Sequence, residues 1–333
     1  MTGADGVTDA SAAPGRRALG RARAAERLRA TGIALPFAAL FVTLSIASSS
    51  FLTKVNLLNI LDQQAAILII AAAGTLVLVA GGIDLSVGAV YALAGVTSAE
   101  VAQHTTPVVA IVLGVAVGLA VGLVNGLVVT RLRINALIAT LAMSFVVSGL
   151  GTLVTHGNLV VLFEHPELGD FARTHVFTVK TSVWIALIAV VVIGVLLART
   201  TAGRYMYASG GNAEAARLAG VRVDGIRVLT FVVSGGAAGL AGVVDTSRVL
   251  SAQSASGDAL AFTVLAGIVV GGTSILGGEG AVWRTVLGVL FIALIGNGYD
   301  LLGLDPLYEQ ITLGVILLAA VAIDSWARSR PNG

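Results

Sequence analysis

Not one cysteine occurs among the 333 residues, so disulfides and thiolate metal sites are excluded. Lysine is almost as scarce: Lys54 and Lys180 are the only two. Neither follows the glycine pattern of a phosphate loop, which excludes ATP binding and cleavage by that route in this chain. No HExxH helix, nucleophile elbow or Cys/His cluster occurs either, and enzyme activity is left without a candidate centre. Charge is also low, at 11%, where soluble domains carry about 25%. The four histidines, His104, His156, His165 and His175, are scattered near span ends or in one loop. They read as solvated loop residues.

What fills the chain instead is apolar: 56% of residues, with a mean hydropathy of +0.95. The fold class this implies is all-α, a polytopic membrane protein of about ten transmembrane helices. Apolar runs recur near 33–50, 57–80, 86–103, 107–130, 134–155, 182–198, 227–247, 259–276, 284–301 and 306–325, each long enough to be weighed as a span. Residues 1–32 form a polar tail with six arginines, Arg16 to Arg29, and 326–333 a short C-terminal tail. The transmembrane domain is 33–325, with one long polar loop at 199–226.

Ten spans put both termini on one side. That side holds sixteen basic residues: the tail arginines, Arg131, Arg133, Arg199, Arg204, Arg217, Arg222, Arg227, Arg284, Arg328 and Arg330. The other side holds four, Lys54, Arg173, Lys180 and Arg248. This asymmetry places both termini in the cytoplasm. The longest segment on the outer side, His156 to Lys180, has room for a small amphipathic helix. It is either a plain surface loop or a shelf for an external delivery protein.

Within the membrane, Gly114, Gly118, Gly122 and Gly126 fall four apart on one helix face, a stripe that admits close helix approach. Asn125 lies beside it and needs buried partners or a wet path. Two glycine-rich breaks interrupt the spans, at 79–88 and 271–280. Irregular backbone at that depth must be buried in protein or line a cavity, and paired breaks in two halves suggest internal symmetry of the transporter kind. Asp84 in the first break either caps the following helix, the favoured reading, or binds a cation or a sugar hydroxyl. Asp245 and Arg248 are spaced to pair. Acids otherwise keep to span ends and loops, which argues against a proton- or sodium-driven carrier.

The polar interruption at 203–223 is the stretch the rest serves. Asn212 is a good N-cap. Glu214 sits in the first turn, where the helix dipole favours an acid. Ala213, Ala215, Ala216, Leu218 and Ala219 continue about two turns of helix, and Gly220 can end it in the left-handed conformation. A mere connection between spans needs no such helix. It reads as a docking knob for a soluble partner.

The order of GGIDLSVG at 81–88, NGLVVTRLRINALIATLAM at 125–143, TAGRYMYASGGNAEAARLAGV at 201–221, VVGGTSILGGEG at 269–280 and GYDLLGLDPLYEQITLGVILLAAVAID at 298–324 resembles the permease subunits of ribose- and xylose-type bacterial ABC importers. The resemblance covers roughly residues 50–325. It implies a permease in the bacterial cytoplasmic membrane, paired with a second copy or a paralogue. It also implies a separate ABC ATPase that carries ATP and magnesium, an extracytoplasmic binding protein, surrounding lipid, and no nucleic acid. No cofactor is then bound by this chain. Gly210, Gly211, Asn212, Glu214, Ala215, Ala216 and Arg217 would form the coupling helix seated on the ATPase. Asp84, Ser86, Asn125, Ser144, Ser234 and Asn297 are the candidates for lining a sugar path, each equally able to serve helix packing. Two places depart from the family pattern: Ala261 and Thr263 stand where a Glu-x-Asp pair is common, and Trp283–Arg284 where Thr-Gly is usual. Competing readings are a permease of the same superfamily for nucleosides, branched-chain amino acids or a signalling furanone, or a stand-alone carrier.

Overall fold

The computed structural model describes residues 32–257 and 259–329; the basic N-terminal tail and the last four residues, on which two expectations fall, lie outside the described residues. Each apolar run becomes a helix, because in lipid the backbone can satisfy its polar groups only within itself. In chain order the helices are α1 (Ala34–Ala47), α2 (Lys54–Val79), α3 (Val87–Ala102), α4 (Pro107–Arg131), α5 (Ala136–Thr155), a single turn α6 (Asp170–Arg173), α7 (Thr181–Arg199), α8 (Thr201–Gly211), α9 (Ala213–Leu218), α10 (Val223–Val249), α11 (Leu260–Val270), α12 (Val282–Leu302) and α13 (Leu307–Ser329).

The ten predicted runs coincide with ten of these helices. Six, α2, α4, α5, α7, α10 and α12, are long and apolar enough to cross a membrane. Helix α1, helix α3 and the segment ending in α11 are apolar but shorter. For α3 and α11 the reason lies in the glycine breaks, which take up part of the span as non-helical backbone.

Helix α2 is the core element. Every residue from Leu68 to Val79 is buried, as suits a helix apolar on all faces. Helix α10 packs on α2, α3 and α4. The glycine stripe of α4 is what lets α10 approach. A Cβ at Gly118 would lie 2.3 Å from the Gly235 carbonyl oxygen, and one at Gly122 2.3 Å from that of Phe231. Gly235 answers from the other side, its own Cβ position 2.3 Å from the Gly118 oxygen.

The segment from His156 to Lys180 holds no amphipathic helix. Proline at 166 starts a single 3-10 turn that runs into α6, and a two-residue hairpin, His175–Val176 with Val179–Lys180, follows. A second small sheet pairs Val160–Val161 with Ser251–Ala252. These residues are tied to the bundle: Ser247 accepts from the Ala172 N–H at 3.0 Å and donates to the Leu168 carbonyl at 2.6 Å.

Candidate functional site

Three glycine-bearing turns meet at one end of the bundle. The first follows α2, where Gly81 takes φ +80°. The second follows α11, where Gly277 and Gly278 take φ +89° and +75°. These are left-handed conformations that glycine adopts without a steric cost. The third is the C-terminal end of α8, at Gly210 and Gly211. The Gly278 N–H donates to the Val79 carbonyl at 2.9 Å, joining the two breaks directly.

Gly210 is wedged between them. A Cβ there would stand 1.9 Å from the Val79 oxygen and 2.6 Å from the Gly278 nitrogen. Gly277 and Gly278 are also crowded, with Cβ positions 2.8 Å from the Gly81 and Gly211 α-carbons respectively. Only bare backbone fits here. Tyr207, one turn before Gly210, donates its hydroxyl to the Gly280 carbonyl at 2.7 Å. Burial pushes this phenol's pKa up, with Arg284 opposing, so it stays protonated and keeps donating. Beside the two breaks, Thr75 of α2 and Thr285 of α12 share a buried hydroxyl contact of 2.7 Å.

The knob projects from this junction. Asn212 caps α9 as its side chain dictates, accepting from the N–H groups of Glu214 and Ala215 at 3.1 and 2.9 Å. Gly220, at φ +85°, ends the helix, and the Gly220 and Val221 N–H groups close back onto Arg217 and Ala216. Helix α9 is six residues long, shorter than the two turns expected. Gly211, Asn212, Glu214, Ala215, Arg217 and Leu218 are exposed, while Ala216 is buried against the bundle. Arg217 is turned aside into an ion pair with Asp224 at 3.1 Å.

Two features here are not legible in the sequence. Leu218 is a good helix former by type, yet its side chain is 87% exposed at the tip of the knob. The helix α8, which carries Gly210 into the junction, has no clear signal within the polar stretch. Thr200 begins it, accepting from the Gly203 N–H at 3.1 Å.

Of the six candidates for a sugar path, four come together. One Asp84 carboxylate oxygen accepts from the Ser86 N–H at 3.0 Å and its hydroxyl at 2.6 Å, and the other accepts from Ser234 at 2.8 Å. Asn125 donates to the Ser86 hydroxyl at 2.7 Å. The cluster ties the first break to α4 and α10. Asp84 therefore pins the turn that leads into α3, three residues ahead of its first residue Val87, and does not act as its N-cap, which is Ser86. The Asn125 carbonyl oxygen is buried with no partner.

The other two candidates stand apart. Ser144 donates to the Leu141 carbonyl of its own helix at 2.7 Å. Asn297 makes a reciprocal amide pair with Asn56, at 2.8 and 3.1 Å, and so staples α12 to the start of α2. Asp245 and Arg248 pair as their spacing foretold, at 2.6 Å, and Tyr91 donates its hydroxyl to Asp245. Ala261 is buried and Thr263 half-buried on α11, where Thr263 donates to the Ala259 carbonyl.

Comparison with known proteins agrees with this architecture. The family model described as branched-chain amino acid transport system / permease component matches residues 56–321. The chain is 39% identical to the ribose import permease protein of Bacillus subtilis over 294 residues, 87% of this chain and 91% of the relative. It is 36% identical to the ribose import permease protein of Escherichia coli over 290 residues, 86% and 90% of the two chains. The L-arabinose transport system permease protein of Escherichia coli is 36% identical over 296 residues, 89% and 90%. No solved structure matches the chain. With the match covering both glycine breaks, the knob and every long helix from α2 to α12, the chain belongs to the family of permease components of the branched-chain amino acid transport type.

Proposed function

We propose that this chain is the membrane-spanning subunit of an ATP-driven importer for a pentose-like monosaccharide, working in the bacterial cytoplasmic membrane with both termini inside. A second copy or paralogue completes the path. A separate ATPase supplies the energy, and an extracytoplasmic binding protein delivers the sugar. The ribose and L-arabinose permeases among its relatives support the sugar class.

The observation that carries the coupling role is the junction under the knob. A partner that moves α9 moves Gly210, which has no freedom of its own. Gly210 stands against Val79 and Gly278, the ends of the two breaks, through backbone alone. Displacement of the knob therefore reaches α2–α3 and α11–α12 together. A ligand or partner shifts an equilibrium only by its differential affinity for the two states. The ATPase would supply that difference by gripping α9 in its closed form. Leu218, Ala215 and Glu214 offer the contact surface: one apolar anchor, one small seat and one acid to set register.

The absence of cysteine makes a direct test simple. Leu218→Cys introduces the sole thiol of the chain. In the assembled transporter a short photoactivatable linker on that thiol is expected to capture the ATPase, more in the ATP-bound form than in the free form. No capture of the ATPase from position 218 above the level seen with the cysteine-free chain, in either form, would place the docking surface elsewhere.

A further inference from the structure

A cavity of about 790 Å³ opens beside the knob, between the end of α4, the loop into α5 and the start of α10. Three guanidiniums line it, those of Arg133, Arg217 and Arg227, against the single carboxylate of Asp224. Arg217 is already paired with that carboxylate. Among the described residues no ion pair engages Arg133 or Arg227, so the cavity keeps an excess of two positive charges. The Arg227 Nε is buried and makes no hydrogen bond. A buried donor left without an acceptor is costly, which calls for an acceptor that enters the cavity.

The backbone adds to the same field. Asn135 and Ala136, the cap and first residue of the 20-residue α5, also line the space, and a helix N-terminus carries partial positive charge. Arg133 is held at φ +56° just ahead of them, a conformation uncommon for a residue with a side chain of this size. Val129, Ile134 and Phe231 supply apolar wall.

We propose that this cavity is a binding site for a phosphate group, presented either by an anionic lipid headgroup or by a free phosphate. Guanidinium forks take phosphate oxygens in pairs, with charge-assisted bonds about twice as strong as neutral ones. A bound phosphate would give the Arg227 Nε its acceptor, neutralise Arg133, and link the α4–α5 loop to the base of the knob. The site rests on the cavity alone and stands whether or not α9 docks an ATPase.

The test uses the full chain in nanodiscs of phosphatidylcholine, with and without phosphatidylglycerol, and separately with inorganic phosphate added to the pure phosphatidylcholine discs. Thermal unfolding and native mass spectrometry are read for the wild type, for Arg133→Gln, and for Arg133→Gln with Arg227→Gln. If a lipid headgroup is the source, phosphatidylglycerol raises the unfolding midpoint of the wild type. The double variant then retains one fewer phosphatidylglycerol per chain. If a free phosphate is the source, inorganic phosphate raises the midpoint in phosphatidylcholine and phosphatidylglycerol does not. In either case Arg133→Gln, a change at an exposed side chain that leaves folding intact, weakens the response about tenfold. High salt weakens it further. No response to either probe, or the same response in wild type and Arg133→Gln, overturns the site. Loss of ATPase capture in the variants with no phosphate response also overturns it, and assigns the cavity to an acidic protein segment.

Discussion

Replacing Gly210 by alanine adds one carbon at the tightest point of the junction. The new Cβ would lie 1.9 Å from the Val79 oxygen, where real Cβ contacts stop near 3.0 Å. The strands of backbone must therefore separate by about 1.1 Å, the difference of those two distances. That separation stretches the Gly278 N–H to Val79 bond, now 2.9 Å. Overpacking of this kind costs about 1–3 kcal/mol, and a weakened backbone bond adds about 1 kcal/mol. The neighbour supplies the control, since a Cβ at Gly211 meets nothing within 4 Å. The assay is ATP-driven sugar uptake by the complete transporter in proteoliposomes, with ATP hydrolysis measured alongside. Gly210→Ala is expected to lower uptake at least tenfold, the equivalent of about 1.4 kcal/mol, while hydrolysis continues. Gly211→Ala is expected to transport like the wild type. Normal coupling in Gly210→Ala, or equal loss in both, would refute the view that motion passes through this contact.

Other perturbations bear on separate parts of the account. Leu218→Asp should leave the unfolding temperature of the permease unchanged and reduce co-purification of the ATPase. Ala215→Trp should abolish ATP-dependent uptake with the permease still in the membrane, because Ala215 is exposed on the knob. Lys180→Met removes the cation that pairs with buried Asp62 at 2.7 Å and leaves the carboxylate with the Ser182 hydroxyl as its donor; losing one partner of a buried ion pair is destabilising, read as a fall in the unfolding midpoint, and Asp62→Asn in the same background should restore most of it. Asn297→Leu leaves the Asn56 side-chain oxygen without its donor and should destabilise by about 1–3 kcal/mol, whereas adding Asn56→Leu should cost less than the sum of the single changes in a double-mutant cycle.

Much of this fold could be read from the chain. The ten apolar runs located ten helices because hydrophobicity in a membrane protein is a local property. The α4 stripe was legible for the same reason, since a four-residue spacing fixes one helix face. So was the cap of α9, where Asn212 and Gly220 act within a few residues of themselves. What could not be read was which distant parts meet. Both glycine breaks stood out in the sequence, yet nothing local says that Val79 and Gly278 share a hydrogen bond or that Gly210 lies between them. The same limit applies to the path residues. Asp84, Ser86, Asn125 and Ser234 assembled into one cluster, while Asn297 found Asn56, 241 positions away. Exposure was equally hidden: Ala216 and Leu218 are two residues apart on one short helix, and one is buried while the other is bare.

The central claim is that this chain opens a path but owns no engine. It is decided by placing the purified polypeptide in liposomes, first alone and then with its ATPase and binding protein, and following labelled ribose with ATP supplied. Accumulation against a gradient is expected only when every companion and ATP are present. Uphill accumulation, or nucleotide hydrolysis, by the polypeptide alone would contradict it.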